Sequence, residues 1–150
     1  MVKNLHGQKN LYYQVNATYY SALGASDEKM LLARAIQMFM PGKPQVWYLD
    51  LFAGKNDHEA VQRAGESGHK EINRTNLSTD QIAEGLKKDV VQKQLALIRM
   101  RNTHKAFSEG AEVAISGGEK SLEIRWEYNS AFATLYVNFE SGTYTIVESR

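Results

Sequence analysis

Few side chains in this sequence could perform catalysis or hold a metal ion. The chain has no cysteine, so neither a thiolate nucleophile nor a cysteine-based zinc site can form. Serine and histidine occur, but there is no Gly-x-Ser-x-Gly elbow and no triad is indicated. The patterns predict neither a metal site nor a bound cofactor. Histidines without metal-ligand spacing are His6, His58, His69 and His104.

Aromatic side chains are the other candidates, because they can stack on sugar rings or donate hydrogen bonds. Trp47 lies in a short apolar run, and Trp126 lies on the alternating face of a predicted strand, so both are predicted to be core residues. The first 26 residues follow neither a helical nor a strand period, which predicts a long, partly exposed loop. The tyrosines interleaved with its polar residues are Tyr12, Tyr13, Tyr19 and Tyr20.

Charge and composition narrow the class of partner. The 150 residues carry 18 Lys and Arg against 17 Asp and Glu, with no long run of either sign. This balance argues against nucleic acid and anionic membranes as partners, and favours small molecules or proteins. No apolar stretch has the length of a membrane span or a signal peptide, so a cytoplasmic protein is expected.

A helix and a buried strand are predicted in the first half of the chain. Ser26 is a candidate N-cap before two acidic residues, and apolar residues recur at helical spacing until the Pro41-Gly42 pair, which predicts a helix over 27–40. Residues 45–49 are short, apolar and β-favouring, which predicts a strand buried on both faces. Helix, tight turn and buried strand together indicate an αβ unit of a parallel sheet or barrel.

Three more helices are predicted after this unit, and beyond them the apolar residues recur with the two-residue period of strands. Asp57 is a candidate cap for a short helix, Ser78 for a second, and Asp89 for a third that continues to about Thr103. From Ala111 onwards apolar residues alternate, which predicts four short antiparallel strands separated by turns at 117–118, 129–130 and 141–142. Four strands in about 40 residues are too few to hold a core alone, so the sheet is expected to pack against the helices.

Several motifs in order carry a resemblance to a known family. They are residues 11–16 (LYYQVN), 33–37 (ARAIQ), 41–48 (PGKPQVWY), 53–57 (AGKND) and 68–74 (GHKEINR). Together they resemble the sucrose-phosphorylase branch of glycoside hydrolase family 13, and the stretch at 3–9 resembles relatives that act on glucosylglycerate. The match runs from about residue 4 to Phe107, and residues 108–150 match only in general character.

The resemblance implies a fold and a mechanism. The family has a (β/α)8 (TIM) barrel followed by a small β domain. Residues 1–107 are therefore expected to be the last βα part of an α-amylase-type barrel, including the acceptor loop, and 108–150 the C-terminal antiparallel β domain. The family transfers a glucosyl unit to phosphate by a retaining double displacement with a carboxylate nucleophile and an acid/base. By resemblance these carboxylates precede the start of this chain, so no catalytic residue is assigned and the isolated chain is expected to be inactive.

The resemblance also implies six substrate-binding positions. Tyr13 and Gln14 fall where the family's mobile loop lines the phosphate and acceptor pocket. Lys70 replaces an arginine that touches the glucosyl hydroxyls, beside the acidic Glu71, and Asn73 and Arg74 match the family's Asn-Arg pair. Tyr13 and Arg74 each have a structural alternative: Tyr13 as a tyrosine packed between loop and barrel, and Arg74 as a tie to carbonyls or a carboxylate, the two readings of Arg74 being equally open.

The sequence thus predicts the C-terminal portion of a retaining α-glucoside phosphorylase acting on a small α-glucoside such as glucosylglycerate or sucrose. Its partners would be sugar and phosphate, with self-association through an incomplete barrel edge. The alternative is a free-standing carbohydrate-binding or protein-interaction module.

Overall fold

The computed structural model describes residues 15–149, except for the side chain of Ser67. Over this range the chain forms a four-stranded antiparallel sheet in the order β1-β2-β3-β4, with helices packed on one face. The α-helices are α1 Tyr19–Ala22, α2 Asp27–Phe39, α3 Tyr48–Leu51, α4 His58–Ala64, α5 Thr79–Gly85 and α6 Asp89–Thr103. The 3-10 helices are Gly65–Asn73 and Lys105–Phe107, and the strands are β1 Glu112–Gly117, β2 Ser121–Tyr128, β3 Ala131–Asn138 and β4 Thr143–Glu148.

The predicted sheet is confirmed, and it packs on the helices as expected. Alternate residues of β2 and β3 point towards α2 and α6, and the central pair Ile124 and Leu135 is fully buried. Trp126 is also buried, as predicted, and its Nε1 donates a hydrogen bond of 2.6 Å to the carbonyl of Phe39 at the end of α2. The guanidinium of Arg101 lies 4.2 Å from the Trp126 ring centroid. The sheet and the helices therefore share one core.

Helix α2 begins and ends where the sequence predicted. The Ser26 hydroxyl accepts a hydrogen bond from the Lys29 amide, and the helix ends at Phe39, just before Pro41. Ser78 makes the predicted capping box with Gln81 at the start of α5. Both signals were reliable because each depends only on neighbouring residues.

Several predictions were wrong. Residues 45–49 do not form a strand: 43–47 have no regular secondary structure and pair with no strand in the described part of the chain, and Tyr48–Leu51 form α3. A strand requires main-chain partners, so an apolar run alone cannot make one. The N-terminal loop is interrupted by α1, which Thr18 caps. Asp89 does not cap α6, because the cap position is Lys88.

Candidate functional site

Four of the six predicted site residues lie close together along one short segment. Lys70, Glu71 and Asn73 are in the 3-10 helix Gly65–Asn73, and Arg74 follows it directly. Tyr13 and Gln14 lie outside the described residues. The roles of all six in substrate binding stay predictions.

Two glycines fold this segment back onto α4. Gly65 has a φ of +72°, a backbone conformation that side chains disfavour, and it ends α4. A Cβ on Gly68 would lie 2.4 Å from the Cβ of Ala64, so the 3-10 helix can approach α4 only with glycine there. The amide of Asp57 donates a hydrogen bond of 2.8 Å to the carbonyl of Ile72 and closes the loop. These contacts hold the segment that carries Lys70 to Arg74.

Arg74 and Glu71 form an ion pair at the surface. Arg74 Nη1 lies 3.4 Å from Glu71 Oε1, and the two side chains are 55% and 42% exposed. An exposed pair of this kind contributes about 0–1 kcal/mol to stability. The guanidinium therefore keeps donors free for another oxygen atom. Lys70 is half-buried, and its side chain makes no hydrogen bond or ion pair with another residue in 15–149.

Trp47 forms the wall beside this ion pair, and the sequence prediction that it is a core residue is wrong. The side chain is 52% exposed. Its ring packs edge-on against Tyr48 with 5.1 Å between centroids, and the Tyr48 hydroxyl donates a hydrogen bond to the Thr75 carbonyl. The sequence did contain a signal for this exposure. Alternate residues of a non-helical segment face the same side, so Trp47 faces the same side as the polar Lys43 and Gln45.

The aromatic and charged side chains border one shallow depression of about 460 Å³. Trp47 and Tyr48 offer apolar ring surface, Glu71 accepts hydrogen bonds and Arg74 donates them. Such a combination suits a polyhydroxylated ring, which has apolar faces and hydroxyl edges, and the cation suits an anionic group. We call this depression, lined by Trp47, Tyr48, Glu71, Arg74 and Asn76, the Trp47 face.

Asn73 connects the Trp47 face to the segment that precedes α1. Its side-chain amide donates a hydrogen bond of 3.2 Å to the Ala17 carbonyl, while its main-chain carbonyl accepts one from Trp47. Thr18 and Asn56 add a second connection, since the Thr18 amide donates to Asn56 Oδ1 at 2.7 Å. These bonds hold Ala17 and Thr18 against the segment that carries the Trp47 face.

Two wider features bear on the kind of site present. Within residues 15–149, no group of three His, Asp or Glu side chains is arranged to hold a metal ion. None of the helices in the described range is long and apolar enough to cross a membrane.

Known phosphorylases are similar to nearly the whole of this chain in sequence and in fold. The chain is 53% identical over 148 residues to the sucrose 6(F)-phosphate phosphorylase of Ilumatobacter coccineus, covering 97% of this chain and 28% of the relative. The crystal structure of sucrose 6F-phosphate phosphorylase from Thermoanaerobacter thermosaccharolyticum matches 97% of this chain and 29% of its own with a TM-score of 0.84 and 41% identity. The glucosylglycerate phosphorylase of Escherichia coli is 28% identical over 108 residues, which cover 63% of this chain and 19% of that protein. No protein-family model matches.

These matches show that the chain is homologous to the C-terminal part of α-glucoside phosphorylases. Within this class it belongs to the sucrose-phosphorylase group of glycoside hydrolase family 13, as the sequence motifs predicted. The chain spans about 28% of the length of the Ilumatobacter relative.

Proposed function

We propose that this chain works as the C-terminal part of a retaining α-glucoside phosphorylase. The complete enzyme would exchange the glucosyl unit of a small α-glucoside between its acceptor and phosphate, giving α-glucose 1-phosphate. The observation that carries the proposal is the similarity to sucrose 6F-phosphate phosphorylase along nearly the whole chain, in sequence and in fold. The nucleophile and the acid/base carboxyl group would come from the larger part of the enzyme.

The proposal includes the division of the chain. Residues 1–107 would supply the last βα part of the TIM barrel together with the acceptor loop, and 108–150 the small β domain. The support for this division is the set of motifs at 33–37 and 41–48, which resemble that family. In that setting residues 43–47 would pair with strands of the rest of the enzyme, since no strand in residues 15–149 pairs with them.

Substrates with an anionic acceptor are favoured by the charges near the Trp47 face. Arg74 and Lys70 could each attract a phosphate or a carboxylate. Sucrose 6(F)-phosphate carries a phosphate on its fructosyl unit and glucosylglycerate carries a carboxylate, so both share this chemistry. We rank the sucrose phosphate first, because the relative named for it is 53% identical and the one named for glucosylglycerate 28%.

Each predicted site residue has a role in this proposal. Tyr13 and Gln14 would line the phosphate and acceptor pocket, and Lys70, Glu71 and Arg74 would hydrogen-bond the substrate, the two cations through its anionic group. Asn73 would hold the segment just before α1 against the Trp47 face, as its bond to Ala17 supports. A cytoplasmic location is part of the same proposal, because a charged phosphate ester does not cross a bilayer unaided.

The test is a chimera in which this chain replaces the matched region of the Ilumatobacter relative. We expect the chimera to release glucose 1-phosphate from sucrose 6F-phosphate in the presence of phosphate, and the isolated chain to release none. The same assay with sucrose and with glucosylglycerate ranks the three glucosides by their rates, and therefore ranks the acceptor groups that they carry. A chimera that folds but transfers no glucosyl unit from any of the three would refute the proposed function.

The half-exposed Trp47 beside Arg74 and Glu71 favours one alternative, a carbohydrate-binding module that acts without the rest of an enzyme. Such a module must bind sugar by itself. Saturable quenching of tryptophan fluorescence by sucrose in the isolated chain, lost in Trp47→Ala, would support this alternative.

A further inference from the structure

The point at which the chain enters α1 is held by side chains that are distant in sequence. Thr18 comes just before this helix, and only 1% of it is exposed. Asp50 in α3 and Asn56, between α3 and α4, both reach this point, 31 and 38 positions along the chain from the residues that they bind. The start of α1 is therefore fixed by long-range contacts as well as by its own cap.

Asn56 binds α1 in both directions. Its Oδ1 accepts a hydrogen bond of 2.7 Å from the Thr18 amide, and its own amide donates one of 2.9 Å to the Ser21 hydroxyl. The Thr18 hydroxyl accepts from the Ser21 amide at 3.1 Å and caps the helix. Because the two bonds of Asn56 reach residues three positions apart, they fix the direction of α1 as well as its position.

Asp50 holds the next amide of the chain. Its Oδ1 accepts a hydrogen bond of 2.7 Å from the Tyr19 amide. The first amides of a helix have no carbonyl partner within that helix, so their acceptors must come from elsewhere. Here carboxylate and amide oxygens supply them. We call this set of residues the α1 clamp: Thr18, Tyr19, Ser21, Asp50 and Asn56.

The clamped residues directly follow the segment that carries two predicted site residues. Gln14 precedes Ala17 by three positions and Tyr13 by four. Three residues of chain span at most about 11 Å, so the position of Ala17 limits where Gln14 can lie. A group that positions a substrate loses about a hundredfold in rate when it is misplaced by about 1 Å. The α1 clamp is therefore close enough in the chain to affect what these two residues bind.

We propose that Asp50 and Asn56 are positioning residues for the use of phosphate. By fixing the start of α1, they hold the segment before it where Tyr13 and Gln14 meet phosphate and the acceptor. The glucosyl-enzyme ester is broken by an oxygen of either phosphate or water. Phosphate needs donors held in place and water does not, so loosening the clamp shifts the partition from phosphorolysis towards hydrolysis. This inference rests on the proposed function.

Asn56→Ala in the chimera removes the acceptor of the buried Thr18 amide. The ratio of phosphorolysis to hydrolysis, measured in one reaction mixture, should fall at least tenfold, through a higher KM for phosphate and not a lower kcat. Asn56→Asp keeps an oxygen in this place and should restore the ratio to within about twofold of the parent. Loss of folded protein lowers both rates equally and leaves their ratio unchanged, so a merely structural role predicts no change.

Asp50 offers the same comparison at the Tyr19 amide. Asp50→Ala and Asp50→Asn both remove the carboxylate charge, and only the asparagine keeps an acceptor. The alanine variant should therefore lower the ratio of phosphorolysis to hydrolysis, and the asparagine variant should preserve it. An equal fall in both variants would assign the effect to the charge of Asp50 and overturn its positioning role.

Asn138→Ala is the matched control for Asn56→Ala. Asn138 Oδ1 accepts hydrogen bonds of 2.9 and 3.0 Å from the amides of Glu140 and Ser141 in the turn between β3 and β4. Its loss removes bonds of the same kind, and should lower the melting temperature while the ratio stays at the parent value. A ratio that falls in this control would show that stability decides the partition. If Asn56→Ala does not fold, Ser21→Ala removes the second bond of Asn56 and should also lower the ratio.

Hydrogen exchange in the isolated chain tests the clamp without substrate. The Thr18 amide should exchange at least tenfold faster in Asn56→Ala than in the parent, and at the parent rate in Asn56→Asp. Equal exchange in all three proteins would overturn the clamp itself. An active chimera whose ratio does not respond to either alanine variant would refute the positioning role alone. An inactive parent chimera would refute the proposed function and with it the role in phosphate use, whatever the exchange rates show.

Discussion

The indole Nε1–H of Trp47 donates a hydrogen bond to the main-chain carbonyl of Asn73, 3.2 Å away, across 26 positions of sequence. Asn73 in turn donates from its side chain to Ala17. Trp47 therefore holds the segment that carries Glu71 and Arg74, while its own ring remains half-exposed beside them.

Substitution of Trp47 should separate these two roles. Trp47→Phe keeps a ring but loses the donor, which should cost about 1 kcal/mol of unfolding free energy. Trp47→Ala loses the ring as well, and in the chimera it should raise KM for the glucoside severalfold more than the phenylalanine variant does. Tyr136→Ala, an exposed aromatic on the opposite face of the sheet, is the control and should leave KM unchanged. Equal KM values for both Trp47 variants would mean that the ring does not contact the sugar.

Arg74→Met should weaken recognition of an anionic acceptor without destabilising the fold. The Arg74–Glu71 pair is exposed, so urea unfolding of the isolated chain should change by less than about 1 kcal/mol. In the chimera, a lost bond to a charged group should raise KM for sucrose 6F-phosphate about ten- to a hundredfold, and KM for sucrose less. Arg63→Met, which removes a similarly exposed cation paired with Glu59, is the control. An equal rise for both substrates would assign Arg74 to the part that they share.

The predicted roles of Tyr13 and Gln14 in binding phosphate and the acceptor can be tested by kinetics. In the chimera, Tyr13→Phe removes one hydroxyl donor and should lower kcat/KM for phosphate about ten- to a hundredfold, while hydrolysis of the glucosyl-enzyme changes little. Gln14→Ala should change acceptor preference more than glucosyl transfer. If phosphorolysis and hydrolysis fall equally in Tyr13→Phe, this residue shapes the loop and does not bind phosphate.

Local signals predicted much of the fold. Ser26 and Ser78 cap helices where the sequence placed them, and Ile124, Trp126 and Leu135 are buried as their alternation indicated. These features depend on residues a few positions apart or on a two-residue period. The prediction of a strand at 45–49 was wrong because a strand needs hydrogen-bonding partners that are distant in sequence, which a local pattern does not reveal.

The candidate site was harder to predict than the fold. Family motifs pointed to Lys70, Glu71, Asn73 and Arg74, which the structure brings together on one segment. Trp47 was missed because an aromatic residue in an apolar run is usually buried, whereas no strand in residues 15–149 pairs with this run and the side chain stays half-exposed. The hydrogen bonds that Asp50 and Asn56 accept at the start of α1 have no sequence signal, since they join residues 31 and 38 positions apart.

The titration of Asp50 should contribute more to the stability of the isolated chain at acidic pH than at neutral pH. Burial raises the pKa of Asp50 above its ordinary value, despite the opposing hydrogen bond from the Tyr19 amide and the attraction of Arg34. The folded state therefore holds the proton more tightly than the unfolded state. This contribution is fully present below the unfolded pKa of about 3.9 and is lost as pH rises through the folded pKa.

Asp50→Asn should consequently stabilise the isolated chain at pH 7, because the amide oxygen can still accept from the Tyr19 amide and the half-buried carboxylate charge is removed. The gain should shrink as the pH falls from 7 towards the unfolded pKa of about 3.9, because the folded parent takes up its proton at the raised pKa on the way. Urea unfolding of both proteins between these pH values is the measurement. A variant that is less stable than the parent at pH 7 would show that the Asp50 charge, through Arg34, is a net stabiliser.

The most direct test of the central claim is the anomeric form of the product made by the chimera. Incubated with sucrose 6F-phosphate and phosphate, the chimera should produce α-glucose 1-phosphate, identified by the coupling constant of its anomeric proton, while the isolated chain at equal concentration produces none. Retention of the α configuration is what a double displacement requires. Formation of the β anomer, or turnover by the isolated chain, would contradict the account.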